Sequence, residues 1–377
     1  MKPDKSFRES LRILIVAVTN GNSSRPIQAD DPNTFGRGSN VANTISIPAS
    51  GRRSSLSAIG ALVMITVTMT GKAQPLPPDV VASLKNVIGS RIEGAVILAG
   101  DQGFSGGSFS QGSVGTDRRS VDAKVTKFGG AGDIGDPKPL YDLSLRWQPR
   151  LQGCMGYLAA KNDFHAGSIR GDESEDNSFA IQFGGGARFW YNDHLSFAPT
   201  IMGMYGHTEN DYTAQSAFAK ANLSELQRLG LVDWTADTWS VIPAADMQYL
   251  FAWHRTIFTF SSDFTYYYTE SFKTSNPNLS IRGSSETWRN MMDVDIPLGV
   301  KLFDHELHTG GFFSRTDFYG DLRSGFSTDY VYQIHGRMVL DFLGKLWKVK
   351  WIGLGGSYLW GSNLNAWTVG ADMAFKF

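Results

Sequence analysis

The sequence predicts an all-β fold, a transmembrane antiparallel β-barrel of about twelve strands. Three observations predict it. First, side chains alternate with period two from about Asp122 to Phe377. The last segment shows this best: Trp367, Val369, Ala371, Met373, Phe375 and Phe377 fall on one face. Thr368, Gly370, Asp372, Ala374 and Lys376 fall on the other, as a strand between oil and water requires. Second, aromatic residues gather near the segment ends, as in interfacial girdles: Trp190 and Tyr191, Trp253, Tyr266 to Tyr268, Tyr330 and Tyr332, Trp347, Trp351, Trp360 and Trp367. Third, charged residues are 19% of the chain, below the roughly 25% of globular proteins. Glycine is 41 of 377 residues and aromatics reach 12%.

The N-terminal part reads differently. Residues 1–50 are rich in Ser, Asn, Arg, Pro and Gly, and are expected to be a disordered or spurious extension. Arg52 and Arg53 precede the only long apolar run, Leu56 to Thr70. Gly71-Lys72-Ala73 then sets small residues three and one before a cut after Ala73. Basic flank, short apolar core and small-residue site predict a signal peptide over 51–73. The run is also short of the roughly 20 residues of a spanning helix. Residues 74–121 are expected to hold a helix and a linker. Val80, Val81, Leu84, Val87, Ile88, Ile92 and Val96 recur at helical spacing from Asp79, and Gly100 to Gly115 is Gly/Ser-rich.

The barrel is expected over 122–377. Twelve segments carry the alternation: 122–131, 139–149, 151–162, 178–192, 194–207, 236–252, 254–268, 285–302, 305–318, 328–343, 346–360 and 363–377. An even number returns the chain to the side it started from. Short turns are expected near Pro149-Arg150, Asn192-Asp193, Trp253-His254, Phe303-Asp304 and Gly344-Lys345. Longer connections fall at 132–138, 163–177, 208–235, 269–284 and 319–327, and the hairpin at Gly361-Ser362 breaks the rule. The longest contains Ala217 to Leu229, with the pattern of a short external helix. The stretch from Trp347 to Trp360 loses phase, which a bulge near Trp351 would repair. These segments exceed the usual 5–6 residues of strands in globular proteins, which favours lipid over a second sheet as the cover for the oily face.

The opposite face carries the chemistry. Arg289, Asp293, Asp295 and Lys301 share one strand face, His335, Arg337 and Asp341 another, and Asp246 and Asp263 belong with them as a luminal polar network. Such charges are costly unless hydrated or paired. No residue is assigned to catalysis, to a cofactor or to a metal. The seven histidines show no metal-ligand spacing, and one cysteine, Cys154, makes no zinc site. The net charge of −1 gives no footprint for nucleic acid. The polar interior could clasp the N-terminal helix through Lys85 and Arg91, or line a narrow pore for ions or small solutes. A hydrolase is a third alternative.

The order signal, helix, Gly/Ser linker and barrel resembles the autotransporter β-domains. More closely it resembles the solitary outer-membrane autotransporter-type barrels, which lack a long passenger. The features carrying this are Ala371 to Phe377 at the terminus, the helix before the barrel, and GAVILAGDQGFSGGSFS at 94–110. The resemblance covers roughly residues 76–377. It implies the outer membrane of a Gram-negative bacterium and a helix in or near the lumen. It also implies that Phe377, Phe375 and Met373 are the signal read by the barrel-assembly machinery. The function so implied is a translocator-type barrel without a passenger, plugged by its own helix, with a structural or surface role. Its partners would be that machinery and membrane lipid. The protein itself is expected to be a monomer.

Overall fold

The computed structural model describes residues 103–111, 119–140, 145–165, 169–346 and 349–375. Their strands, in chain order, are β1 (Gly103–Gln111), β2 (Arg119–Asp133), β3 (Arg146–Phe164), β4 (Glu173–Trp190), β5 (Leu195–Thr213), β6 (Trp234–Trp253), β7 (Thr256–Thr274), β8 (Arg282–Leu302), β9 (His305–Gly320), β10 (Tyr330–Leu346), β11 (Val349–Gly361) and β12 (Leu364–Phe375). Among the described residues two helices lie in connections, α1 (Ala217–Arg228) and α2 (Asp321–Phe326). Every strand pairs antiparallel with the next, and β1 pairs with β12, so the sheet closes into a barrel of twelve strands. A two-residue ladder, Lys138–Pro139, adds to β3.

The strand number agrees with expectation, but two members differ. The segments expected at 139–149 and 151–162 are largely one strand, β3, which runs through Pro149 without a turn. Proline is tolerated there because Arg150 is the last β3 residue paired with β2, so no ladder N–H is asked of Pro149 on that side. The Gly/Ser stretch expected as a linker supplies the missing strand: β1 closes the barrel between β2 and β12, which therefore starts at Gly103 and not at 122. Gly107 shows why the composition is so small, since a Cβ there would fall 2.2 Å from the Trp367 carbonyl oxygen of β12. The bulge falls where the lost phase puts it, between Val349 and Trp351. The expected turn at Gly344-Lys345 lies inside β10, which continues to Leu346. The expected signal peptide, the helix near Asp79 to Val96 and Phe377 lie outside the described residues.

Directly opposed residues share a face, so the ladders assign inside and outside. The outer face is a belt of exposed apolar residues, among them Leu354 at 72%, Phe183 at 66% and Ile201 at 62% exposure. No soluble monomer presents so broad an oily surface to water; a bilayer covers it. Outward aromatic residues mark its limits: Trp147 and Tyr157 on β3, Trp239 and Trp253 on β6, Tyr332 and Trp360 on β10 and β11. Short turns lie at one end, at 191–194, 254–255 and 303–304, and the longer connections 214–233, 275–281 and 321–329 at the other. By the usual rule the short-turn end is periplasmic. Two connections break the pattern, 134–145 on the short side and 362–363 on the long side.

Candidate functional site in the barrel lumen

The lumen has two levels, and the inward residues of each strand decide which. Toward the long-loop end they are apolar. Phe109 of β1, Val121, Ala123 and Val125 of β2, Leu158 and Ala160 of β3, Phe318, Val331, Leu359, Leu364 and Ala366 form one buried cluster. Leu322 and Phe326 of α2 belong to the same cluster, at 0% and 3% exposure. The 321–329 connection thus turns its helix down into the barrel. Gly320 and Ser327, both with positive φ, make the two corners. Asp321 accepts from the Ser284 N–H at 2.9 Å, and the Ser327 carbonyl accepts from the Asn363 side chain at 2.7 Å, so both ends of the insertion are tied to the wall.

A second cap stands beside it. Helix α1 packs Ala219 and Leu226 with Phe164, Ile169, Tyr212, Leu231 and Val232. Asp172, fully buried, accepts from the Tyr212 hydroxyl at 2.6 Å, from the N–H groups of Gln215 and Ser216 at 2.7 and 2.6 Å, and from the Ser216 hydroxyl at 2.8 Å. Ser216 in turn caps α1 by accepting from Ala219 N–H. Burial, and then the neighbouring carboxylate, push the Tyr212 phenol far above its ordinary range.

Toward the short-turn end the inward faces are polar. On β8 to β12, Arg337 donates two bonds to Asp293, at 2.6 and 2.7 Å, across the intervening β9. Its guanidinium also lies 5.6 Å from the Trp351 ring. His308 bonds Asp295 at 3.0 Å and stands 4.0 Å from Asp341. His335 bonds Asp372 at 2.8 Å through Nε2 and Ser357 at 2.8 Å through Nδ1. The His335 ring stacks on Phe312 at 4.8 Å, and Arg289 covers Phe312 at 5.2 Å. On β2 to β6, Arg188 joins Asp133 at 3.1 Å, Asp246 at 3.4 Å, and Ser196 and Gln248 at 2.8 Å each. Arg150 also reaches Asp133, at 2.9 Å. Between the levels lies a cavity of about 260 Å³, lined in part by Gln182, Asp246, Asp263, Tyr267, Phe318 and Gln333.

The nine polar residues singled out in the sequence all stand at inward positions of their strands. Asp293 with Arg337, Asp295 with His308 and Asp341, and His335 with Asp372 are grouped on β8 to β12. Asp246 belongs to the Arg188 group, and Asp263 stands directly opposite Asp246 and Arg289. Lys301 is exposed at the periplasmic end, opposite Glu306. Sequence reasoning missed Arg188, Arg150, Asp133, His308 and Asp372 as members. Arg188 and Asp372 occupy the polar parity of segments whose alternation was legible, so parity alone could have found them. Met373 faces outward opposite Ile352, and Phe375 ends β12.

The Ser357–His335–Asp372 chain has the connectivity of a hydrolase triad. Ser357 also accepts from Gln333 at 3.0 Å, and the backbone around it is committed to ladders on both sides. These bonds tie β10, β11 and β12 together on the inner face. Among the described residues no cluster of three His, Cys, Asp or Glu could hold a metal ion.

Comparison with known proteins places this architecture. The solitary outer membrane autotransporter beta-barrel domain matches over residues 139–370. Among solved structures the chain is similar to the beta domain of the Bordetella autotransporter BrkA, at 11% identity, covering 73% of this chain and 99% of that one with a TM-score of 0.45. It is similar to the transport unit of AIDA-I from Escherichia coli, at 8% identity, covering 80% and 100% with a TM-score of 0.48. The translocator domain of NalP from Neisseria meningitidis matches at 8% identity, covering 73% and 86% with a TM-score of 0.44. No curated protein matches.

Proposed function

Because the chain belongs to the solitary outer membrane autotransporter beta-barrel domain family, we propose that it is an integral outer-membrane barrel whose lumen is stopped to free solute flow. The family is one of translocator-type barrels and not a catalytic one. The observation that carries the reading is α2, whose Leu322 and Phe326 are buried among inward residues of β1, β2, β3 and β9 to β12. Burying two such side chains stabilises the inserted helix by about 1.5–3 kcal/mol each. The finer reading adds residues 79–96 in or below the polar level, with Lys85 and Arg91 meeting carboxylates such as Asp246, Asp263 and Asp295. The role is then structural or at the cell surface. The protein works as a monomer in the lipid of a Gram-negative outer membrane. There the assembly machinery reads Met373, Phe375 and Phe377.

The polar lower level and the cavity above it favour one second reading, a narrow pore for ions or small solutes. Planar-bilayer conductance separates the two. The mature protein is expected to give no steady open channels, and replacing residues 321–328 by a Gly/Ser loop is expected to create them. Steady channels from the unaltered protein would establish the pore instead. A hydrolase is the third reading, and the refolded protein is expected to cleave neither lipid nor peptide.

A further inference from the structure

One acceptor in the lumen has no donor that the wall could supply. Gln182 of β4 is 6% exposed, and among the described residues its Oε1 takes no hydrogen bond. Its neighbours across the two ladders are Cys154 of β3 and Met204 of β5, and the inward residues on either side of it along β4 are Ala180 and Gly184. Thioether, methyl and bare backbone offer it nothing, and a thiol is a weak donor. The amide lines the cavity of about 260 Å³ between the two luminal levels, so only what occupies that cavity can satisfy it.

Asp246, two strands away on β6, lines the same cavity. Its Oδ1 also accepts no hydrogen bond and lies 3.4 Å from Nη1 of Arg188. Two such acceptors call for a donor, and the surrounding charges narrow its kind. Lys127, Arg150 and Arg289 line the cavity and Arg188 backs Asp246, so a further cation is repelled. An anion would add acceptors where donors are lacking. A neutral hydroxyl compound brings donors and no charge, and the Thr265 hydroxyl, inward on β7, can bond it either way.

Water brings donors too. The roof of the cavity, however, is Phe318, Val331 and Leu359 from the apolar level. Water gains nothing against such a surface, whereas the C–H face of a sugar ring does. The volume of about 260 Å³ equals about nine waters at ~30 Å³ each and falls just short of the ~300 Å³ at which sites for drug-sized ligands begin. That is the room of one sugar ring.

We propose that this chamber binds one neutral monosaccharide, whose hydroxyls donate to Gln182 Oε1 and Asp246 Oδ1 and whose C–H face lies under Phe318. The inference rests on the reading that α2 stops the barrel above, which makes the cavity a dead end reached through the polar level.

The test is isothermal titration of the full mature protein in lauryldimethylamine oxide, a detergent without sugar. Glucose, galactose and N-acetylglucosamine are titrated separately, with putrescine and succinate as the cationic and anionic alternatives. At least one of the sugars is expected to bind one to one, and neither ion to bind. Gln182→Met keeps the volume and removes the unpaired oxygen, so it should fold at least as well. It should lower the affinity about tenfold, the scale of one lost hydrogen bond. Thr265→Phe, which fills the chamber, should abolish binding. His207→Gln, above the membrane belt, should leave it unchanged. Heat-modifiable gel mobility checks that each variant folds, and if Thr265→Phe does not, Gln182→Met carries the test. No heat from any sugar, as when water or the chain's own residues 79–96 fill the chamber, would overturn the proposal. So would equal binding by Gln182→Met, or tighter binding of putrescine or succinate. Planar-bilayer conductance keeps the two readings apart. A closed barrel that binds no sugar defeats only the site; a conducting barrel that binds one defeats only the closure.

Discussion

Arg337 and Asp293 meet across β9 with side-chain exposures of 13% and 16%. A pair so enclosed contributes less by its own attraction than by what its loss leaves behind. Asp293→Ala strands a guanidinium in the wall and is expected to destabilise the barrel by about 3–5 kcal/mol. Replacing both partners by apolar residues of similar volume should recover most of that. Urea unfolding in lipid vesicles measures both. Above the membrane belt, His207 bonds Asp237 at 2.6 Å and stands 3.4 Å from Glu209. The hydrogen bond to Asp237, helped by Glu209, raises the His207 pKa, and the same bond lowers that of Asp237. The signs follow by linkage. The histidine's contribution to stability is complete below its ordinary value of 6.5 and fades as pH rises through the raised one. The aspartate's contribution is present above its ordinary 3.8 and fades as pH falls through the lowered one. In an NMR titration in micelles the His207 ring is expected to change charge above 6.5, and Asp237→Asn should bring the midpoint down. An unmoved midpoint would contradict the pairing.

At the scale of elements, the strands with one oily and one wet face were legible from period two alone. Tyr330 to Phe342 and Trp288 to Leu302 keep in the structure the inward sets read from their parity. The two strands misread had no such signal. In β3 a proline suggested a turn, and only the neighbouring ladder shows why it is harmless. In β1 the side chains are too small to alternate visibly, with Phe104 half exposed on the outside and Phe109 buried inside. The lumen was legible as a polar face but not as a set of partners. Inward positions on strands two apart meet only once the barrel's register is known, as Arg337 meets Asp293. The insertion of α2 was not legible, because six residues carry too few apolar positions to point anywhere. Two predictions belong here. Gly107→Val should hinder closure and lower the folded fraction seen by heat-modifiable mobility, whereas Gly336→Ala, where a Cβ would meet no atom within 4 Å, should not. Asp172→Ala should loosen the α1 cap by about 1–3 kcal/mol, since it leaves buried donors without their acceptor. Hydrogen exchange over 214–233 should then speed up while the strands stay protected.

At the scale of the whole molecule, one arrangement explains both faces of every strand. Lipid covers the outward residues, while α2 and paired charges line the inside. Tryptophan fluorescence in vesicles of brominated phospholipid tests this most directly. A protein retaining only Trp367, which is 54% exposed on the outer face, should be strongly quenched. A protein retaining only Trp351, whose ring meets Arg337 on the inner face, should not. Equal quenching of the two, or quenching of Trp351 alone, would contradict the account.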